Sequence, residues 1–253
     1  MREITDNRGR SRFGTDIHSC RKAAREKAIQ HDLHGRVAHL LATAILRGDY
    51  APDSILPREA ELMDTFGVSR TVLREALRTL TSKGLIESRP RVGTRVRPKI
   101  AWNLLDVDVL DWYSRVAEPM AFALKLQEMR EMIEPYAASL AATSHSTETF
   151  DALAASHAAM VAARNVDEWV RADLQFHLSV LTACSNELLI PLGTLIERTL
   201  EAQLRLNAKR AEVFNASLAE HTAVFEAIRA RNAAAARDAM ASLLGVTRGR
   251  IEG

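Results

Sequence analysis

The sequence predicts a mainly α protein: an N-terminal winged helix-turn-helix followed by a C-terminal all-α antiparallel helical bundle. Three observations carry that expectation. Apolar residues recur at helical spacing along most of the chain, and from Glu118 onward no stretch alternates with the period of two that marks a half-buried strand. Glycines divide the first third into short segments, whereas few Gly or Pro interrupt the remainder. Charge is also split: residues 1–99 carry 20 Lys and Arg against 12 Asp and Glu, and residues 100–253 carry 14 against 20. A basic end joined to an acidic body is the footprint of a nucleic-acid-binding module fused to something else.

Residues 1–30 have no apolar periodicity and read as a flexible basic arm. The winged module is expected over 31–99. Leu33, Val37, Leu40, Leu41, Ala44 and Ile45 mark a first helix that ends at Gly48. A second starts near Arg58, turns Leu62, Met63 and Phe66 inward, and stops at Gly67. Ser69 is placed to cap a third, whose Leu73, Ala76, Leu77 and Leu80 face inward while Arg70, Thr71, Arg74 and Arg78 occupy the other side. Gly84 closes it, and "LIESRPRVGTRVRP" reads as two short strands around a Pro/Gly turn. In this arrangement the third helix enters the major groove of double-stranded DNA, and the wing arginines Arg89, Arg91 and Arg95 lie along the backbone or minor groove.

Residues 100–117 form a connector too apolar for a free linker, expected to dock against the bundle. The bundle itself is expected over 118–248, with apolar stripes at about 120–143, 150–164, 166–184, 187–209, 216–231 and 233–246, joined by short breaks that make consecutive helices antiparallel neighbours. Cys20 and Cys184, far apart in the chain, form neither a disulfide framework nor a CxxC pair. No apolar run approaches the roughly 18–20 residues of a membrane span, and the polar, basic start lacks a secretory apolar core. A cytoplasmic protein with no membrane partner is expected.

One stretch of the bundle carries chemistry. In "RADLQFHLSV", Asp173 and His177 lie four residues apart and so stack on one helix face. The pair reads either as half of a metal site or as a histidine bonded to its own carboxylate. Glu220, the candidate base of a metal-dependent hydrolase, adjoins His221 and points about 100° away from it on a helix, which aims it poorly. Neither a phosphate-cradling glycine loop nor a nucleophile elbow accompanies it.

The segment "ILPREAELMDTFGVSRTVLREALRTLTSKGLIESRPRVGTRV" resembles the DNA-binding domain of the GntR family of bacterial transcription regulators. The bundle resembles the ligand-binding domain of that family's FadR branch, through "EMREMIEPYAA", "DLQFH" and "EHTAVFEAIRARNAAAARDAM" in that order, and the connector "WNLLDVDVLDW" is similar to those of regulators of sugar-acid catabolism, D-galactonate-responsive repressors among them. The resemblance implies a homodimer on a palindromic operator, released by a small carboxylate effector such as a sugar acid. DNA contacts would fall at Ser69, Arg70, Thr71 and Arg74. A family arginine after the Glu of the "LPxE" turn is replaced by Ala60, with Arg58 as a substitute, and a wing-tip glycine is replaced by Arg91.

The branch also implies a divalent metal, Zn, Ni or Mn, held by one Asp and three His. Asp173, His177 and His221 match, but Leu243 stands where the fourth His would be. Three protein ligands suffice if water or effector oxygens complete the shell, and Cys184 is a replacement ligand or, in the simpler reading, a small core residue. Arg130 matches an effector-facing arginine, the alternative being an ion pair with Glu134 on a solvated face. Asn186 matches a family effector-site asparagine, with helix capping as its alternative. The expected product is a metabolite-responsive transcription regulator, with a metal sensor as the variant reading and an enzyme disfavoured.

Overall fold

The structure, a computed structural model, describes residues 33–193, 195–198 and 216–252. The basic arm and most of the stripe expected at 187–209 fall outside the described residues. The chain forms two compact units that divide between Asn103 and Leu104.

In the first unit, helix α1 (33–47) buries Val37, Ala38, Leu41, Ala42, Ile45 and Leu46. Leu40, expected inward, is 52% exposed, and Ala44 is only half-buried. The buried stripe is centred on Ala38, Ala42 and Ile45, and one residue of offset turns a helical side chain by about 100°. Helix α2 (Glu59–Phe66) buries Leu62 and ends at Gly67 in the left-handed conformation. Ser69 caps helix α3 (Arg70–Ser82), its Oγ accepting from Val72 N, and Val72, Leu73, Ala76, Leu77 and Leu80 are buried. Strands β1 (Ile86–Arg89) and β2 (Gly93–Val96) pair antiparallel with Ile86 opposite Val96. Residues 53–56 run along the far side of β2, where Leu56 N donates to Thr94 O and Val96 N donates to Ser54 O. Three helices and a two-stranded wing, with one bridge from Ile55 to Arg95, make up the unit.

Gly84 makes the corner between α3 and the wing. It holds φ +76°, and a Cβ there would stand 2.8 Å from Ala101 O. That carbonyl belongs to the chain end of the unit, where Trp102 is buried and its Nε1–H donates to Arg97 O.

The second unit begins with helix α4 (Val107–Val116), capped by Asp106. Its Leu110 packs with Phe122, Leu126 and Leu195, and Asp111 pairs with Arg198. Helices α5 (Pro119–Ser144), α6 (Thr147–Ala162), α7 (Val166–Ala183), α8 (Leu218–Arg229) and α9 (Ala233–Glu252) follow. Helix α5 packs chiefly along α9 and also against α7 and α8, and α6 lies against α7. Close approach is possible because α5 presents Ala137, Ala138, Ala141 and Ala142, all fully buried, to Phe176, Val180, Met240 and Leu244 of the same core. Gln127, itself buried, donates from Nε2 to Leu244 O, and Arg248 forks onto Glu131 with contacts of 2.8 and 2.9 Å. Among the described residues no helix is long and apolar enough to cross a membrane.

Two expectations follow. Gly84→Ala combines left-handed strain with a backbone clash and should destabilise the first unit by about 1–3 kcal/mol, read as an earlier transition in urea. Hydrogen bonds from Arg248 hold the Glu131 carboxyl below its ordinary range, with partial burial opposing and Gln127 assisting. A depressed folded-state value means this pair stabilises at pH values above the ordinary carboxylate range and is lost as pH falls through the depressed value. Glu131→Gln should therefore lower stability by about 0.5–1 kcal/mol at pH 7 and make the loss of stability on acidification shallower.

Candidate functional site

The basic face of the first unit is built on α3. Ser69, Arg70, Thr71 and Arg74 are all exposed, and Arg70, Thr71 and Arg74 line a groove with Glu59 and the wing residues Ser88 and Thr94. The cap at Ser69 starts the helix where its side chains project into that groove. Arg74 Nε lies 3.5 Å from Glu59 Oε1, an exposed pair of the kind worth little in water. Arg58 precedes α2 as its N-cap, where its backbone N–H donates to Glu61 Oε2.

The wing arginines separate into two kinds. Arg95 is engaged by Asp53 at 2.5 Å and faces Glu87 at 3.7 Å, and Arg89 also pairs with Glu87. Arg91 instead occupies the tip. Val92 N donates to Arg89 O, which closes a turn with Pro90 and Arg91 at its centre, and Arg91 holds φ +63°. That position of a turn favours glycine, because an L side chain there costs roughly 1–2 kcal/mol. The residue departing from the family's glycine thus sits in the conformation glycine would relieve. Arg91→Gly should leave stability unchanged or raise it by up to about 1 kcal/mol. The same change should weaken DNA binding and reduce the slope of log affinity against log salt by about one.

The second site lies where α5, α7 and α8 meet. Asp173 and His177 project from one face of α7, and His221 comes from α8; their ligand atoms lie within 4.8 Å of one another and all three are buried. His221 Nδ1–H donates to Ser217 O at 2.7 Å, which turns Nε2 inward to 2.7 Å from Asp173 Oδ1. That second contact is close but not aligned as a hydrogen bond, so Nε2 remains a buried atom without a satisfied partner. Phe176 and Trp169 stand edge-on to the His221 ring, and Phe176 also meets His177 edge-on, fixing both imidazoles.

Helix α5 adds a buried ion pair. Arg130 is 2% exposed and Glu134 1%, so the pair expected on a solvated face is instead interior. Arg130 Nε donates to Glu134 Oε1 at 2.5 Å, and Arg130 Nη2 donates to His177 Nε2 at 3.1 Å. Glu134 Oε2 stands 2.5 Å from His177 Nδ1. Those two atoms are close without being aligned as a hydrogen bond; the aligned Arg130 donor needs a lone pair on Nε2, which assigns the ring proton to Nδ1. Burial works against the Glu134 charge, yet Arg130 and His177 hold its carboxyl down at about 2. Burial likewise opposes the Asp173 charge, and the two imidazoles hold that carboxyl far below the usual range. For His177, burial lowers its proton affinity, Glu134 and Asp173 raise it, Arg130 opposes them, and the net direction is up.

The sequence names Glu134 only as a partner of Arg130 on a solvated face, not as part of the buried cluster. The signal lay in the α5 stripe: Ala123, Leu126, Gln127, Arg130, Glu134, Ala137 and Ala141 occupy successive inward positions and all are buried. Beside Arg130 a narrow cavity is lined by Ile133, Leu181, Leu192, Leu195 and Ile196, with Glu134. Asn186 is half-buried, with its Oδ1 accepting from Leu188 N as the cap of a local turn, and it does not line that cavity. Cys184 is buried, its Sγ directed at Leu181 O, and does not join the cluster. Leu243 is 1% exposed within the apolar core, and Glu220 is not among the converging ligands.

Comparison with known proteins places both units in known domain families. Residues 33–96 match the family described as bacterial regulatory proteins, gntR family, and residues 125–245 match the FCD domain. The chain is 31% identical to the galactonate operon transcriptional repressor of Escherichia coli over 219 residues, covering 86% of this chain and 96% of that protein. It is 38% identical over 176 residues to the E. coli HTH-type regulator YieP, covering 68% of this chain and 76% of that one. The solved structure of Lar from Listeria monocytogenes, at 19% identity, shares the fold with a TM-score of 0.54 over 87% of this chain and 96% of that chain. A winged helix with an exposed basic recognition face, followed by a helical FCD domain, makes this chain a member of the GntR family: a DNA-binding transcription regulator rather than an enzyme.

Proposed function

We propose that the protein is a repressor of a catabolic operon for a small carboxylate, a sugar acid being the favoured class. It would act in the cytoplasm as a homodimer on a palindromic operator and be released by its effector. The observation that carries this reading is the buried convergence of Asp173, His177 and His221 beside the Arg130 guanidinium. The name of the galactonate operon repressor, a relative matched over most of its length, supports the sugar-acid class.

Arg130 suits the effector's carboxylate because its planar fork offers paired donors. The other three residues suit a divalent cation. Two nitrogens and one carboxylate oxygen are an ordinary donor set for Zn, Ni or Mn. The Ser217 carbonyl holds His221 in the tautomer that leaves Nε2 for a ligand, the usual outer-shell arrangement of a metal-binding histidine. Two buried carboxylates, Asp173 and Glu134, face one guanidinium, so the cluster takes one more positive charge, either a proton on His177, whose proton affinity is raised, or a cation. A bound cation would supply that charge and attract the effector's oxygens. With Leu243 aliphatic, one position of the shell would stay open to them. Repression is relieved if the effector binds the DNA-free arrangement of the dimer better than the DNA-bound one.

The test is DNA binding by fluorescence anisotropy on palindromic fragments from the protein's own upstream region. We expect binding at least 1,000-fold tighter than to random DNA, and release of the specific complex by D-galactonate or a related sugar acid. Asp173→Ala should keep DNA affinity and lose the response to acid. Palindromic fragments bound no better than random DNA would remove the regulator reading of this site, and release by metal alone with no acid active would make the protein a metal sensor instead.

A further inference from the structure

Arg130 occupies the atom that a cation would need. Its Nη2–H is aligned on His177 Nε2 at 3.1 Å, while Nδ1 of the same ring stands 2.5 Å from Glu134 Oε2. An imidazole nitrogen has one lone pair, and a guanidinium has only donors to offer it. The lone pair of His177 Nε2 therefore cannot serve Arg130 and a metal together. The charges exclude each other as well, since two cations a few ångströms apart repel strongly where little water screens them. His177 Nε2 is also 3.6 Å from Asp173 Oδ1, so a cation shared by those two atoms would stand directly against the guanidinium.

We infer that Arg130 is a built-in competitor for the Asp173–His177–His221 seat: the guanidinium caps His177 Nε2 and must withdraw before a divalent cation can bind. This rests on the reading of those three residues as a cation seat.

The space beside Arg130 is about 10 Å³, enough for one water, so the withdrawal has to open it. The cavity beside Arg130 is walled by aliphatic side chains, and among its described lining residues Arg130 is the sole cation. Its one anion, Glu134, is already engaged by Arg130 and His177. An anion that reaches Arg130 and opens that space pairs with the guanidinium and draws it off Nε2. Cation and anion then strengthen each other's binding by the same factor, as linkage requires. The site loads both together and resists loading either alone.

Zn²⁺ affinity of the metal-stripped full-length protein, measured by competition with a chromophoric chelator at fixed pH, tests this. Removing the competing hydrogen bond in Arg130→Met should tighten Zn²⁺ binding roughly ten- to hundred-fold. Arg130→Lys keeps a positive charge for Glu134 but cannot span both partners, and it should shift affinity in the same direction. If Arg130→Met fails to fold, as a thermal melt would show, Arg130→Met combined with Glu134→Gln removes both charges and is measured instead. A merely structural arginine would leave Zn²⁺ affinity equal or weaker in these variants, and that result overturns the inference while Zn²⁺ binding lost in Asp173→Ala keeps the seat. Absence of Zn²⁺ binding in the wild type and in every folded Arg130 variant overturns the seat and the inference together.

Discussion

The helical unit is organised around one constraint: charges that have been taken out of water must be paired inside the protein. Arg130, Glu134, Asp173, His177 and His221 are all buried, and they come from three helices. Each isolated charge would cost several kcal/mol to hold there. The cluster is tolerable only when α5, α7 and α8 are docked together, since Arg130 reaches His177 across helices and Asp173 faces His221 across another boundary. Such a cluster adds little net stability, but it penalises any packing in which one helix slips relative to the others. It therefore specifies the site geometry more than it strengthens the fold.

The packing around it serves that geometry. Four buried alanines let α5 lie close to its neighbours, and Phe176 fills the space beneath both imidazoles. Helix α9 takes a different part. Met240, Leu243 and Leu244 contribute apolar packing, and the polar ties of the helix to α5 run through Gln127, Glu131 and Arg248, away from the cluster. The aliphatic Leu243 accordingly leaves the site to three helices.

What the sequence made legible follows from how far each signal reaches. The i,i+4 spacing of Asp173 and His177 is a local fact, and it held. Ser69 as a cap and Gly67 as a stop are local too, and both appear as read. The Arg130–Glu134 spacing was equally visible, but its burial was not, because an ion pair on a helix looks the same in sequence whether water or a neighbouring helix lies over it. Only the apolar stripe around the pair distinguishes the two. Leu40 shows the converse error: an apolar residue near a stripe was counted into it although its neighbours Leu41 and Ala42 set the direction. The Asp53 partner of Arg95 is hidden because it lies 42 residues away in the chain.

The same side chain does opposite work in the two units, and exposure decides which. Arg74 is 67% exposed and pairs with Glu59 across solvent. Such a pair is worth about 1 kcal/mol or less, so a phosphate or a guanine edge can take over the guanidinium at small cost. Arg130 is sealed from water and cannot simply release Glu134 and His177; it can only exchange one buried partner for another. An exposed arginine thus answers any polyanion it meets, which suits a surface that must first find DNA and then read it. A buried arginine answers only an anion that enters the protein and replaces what it already holds, which is the selectivity the proposed effector site would need.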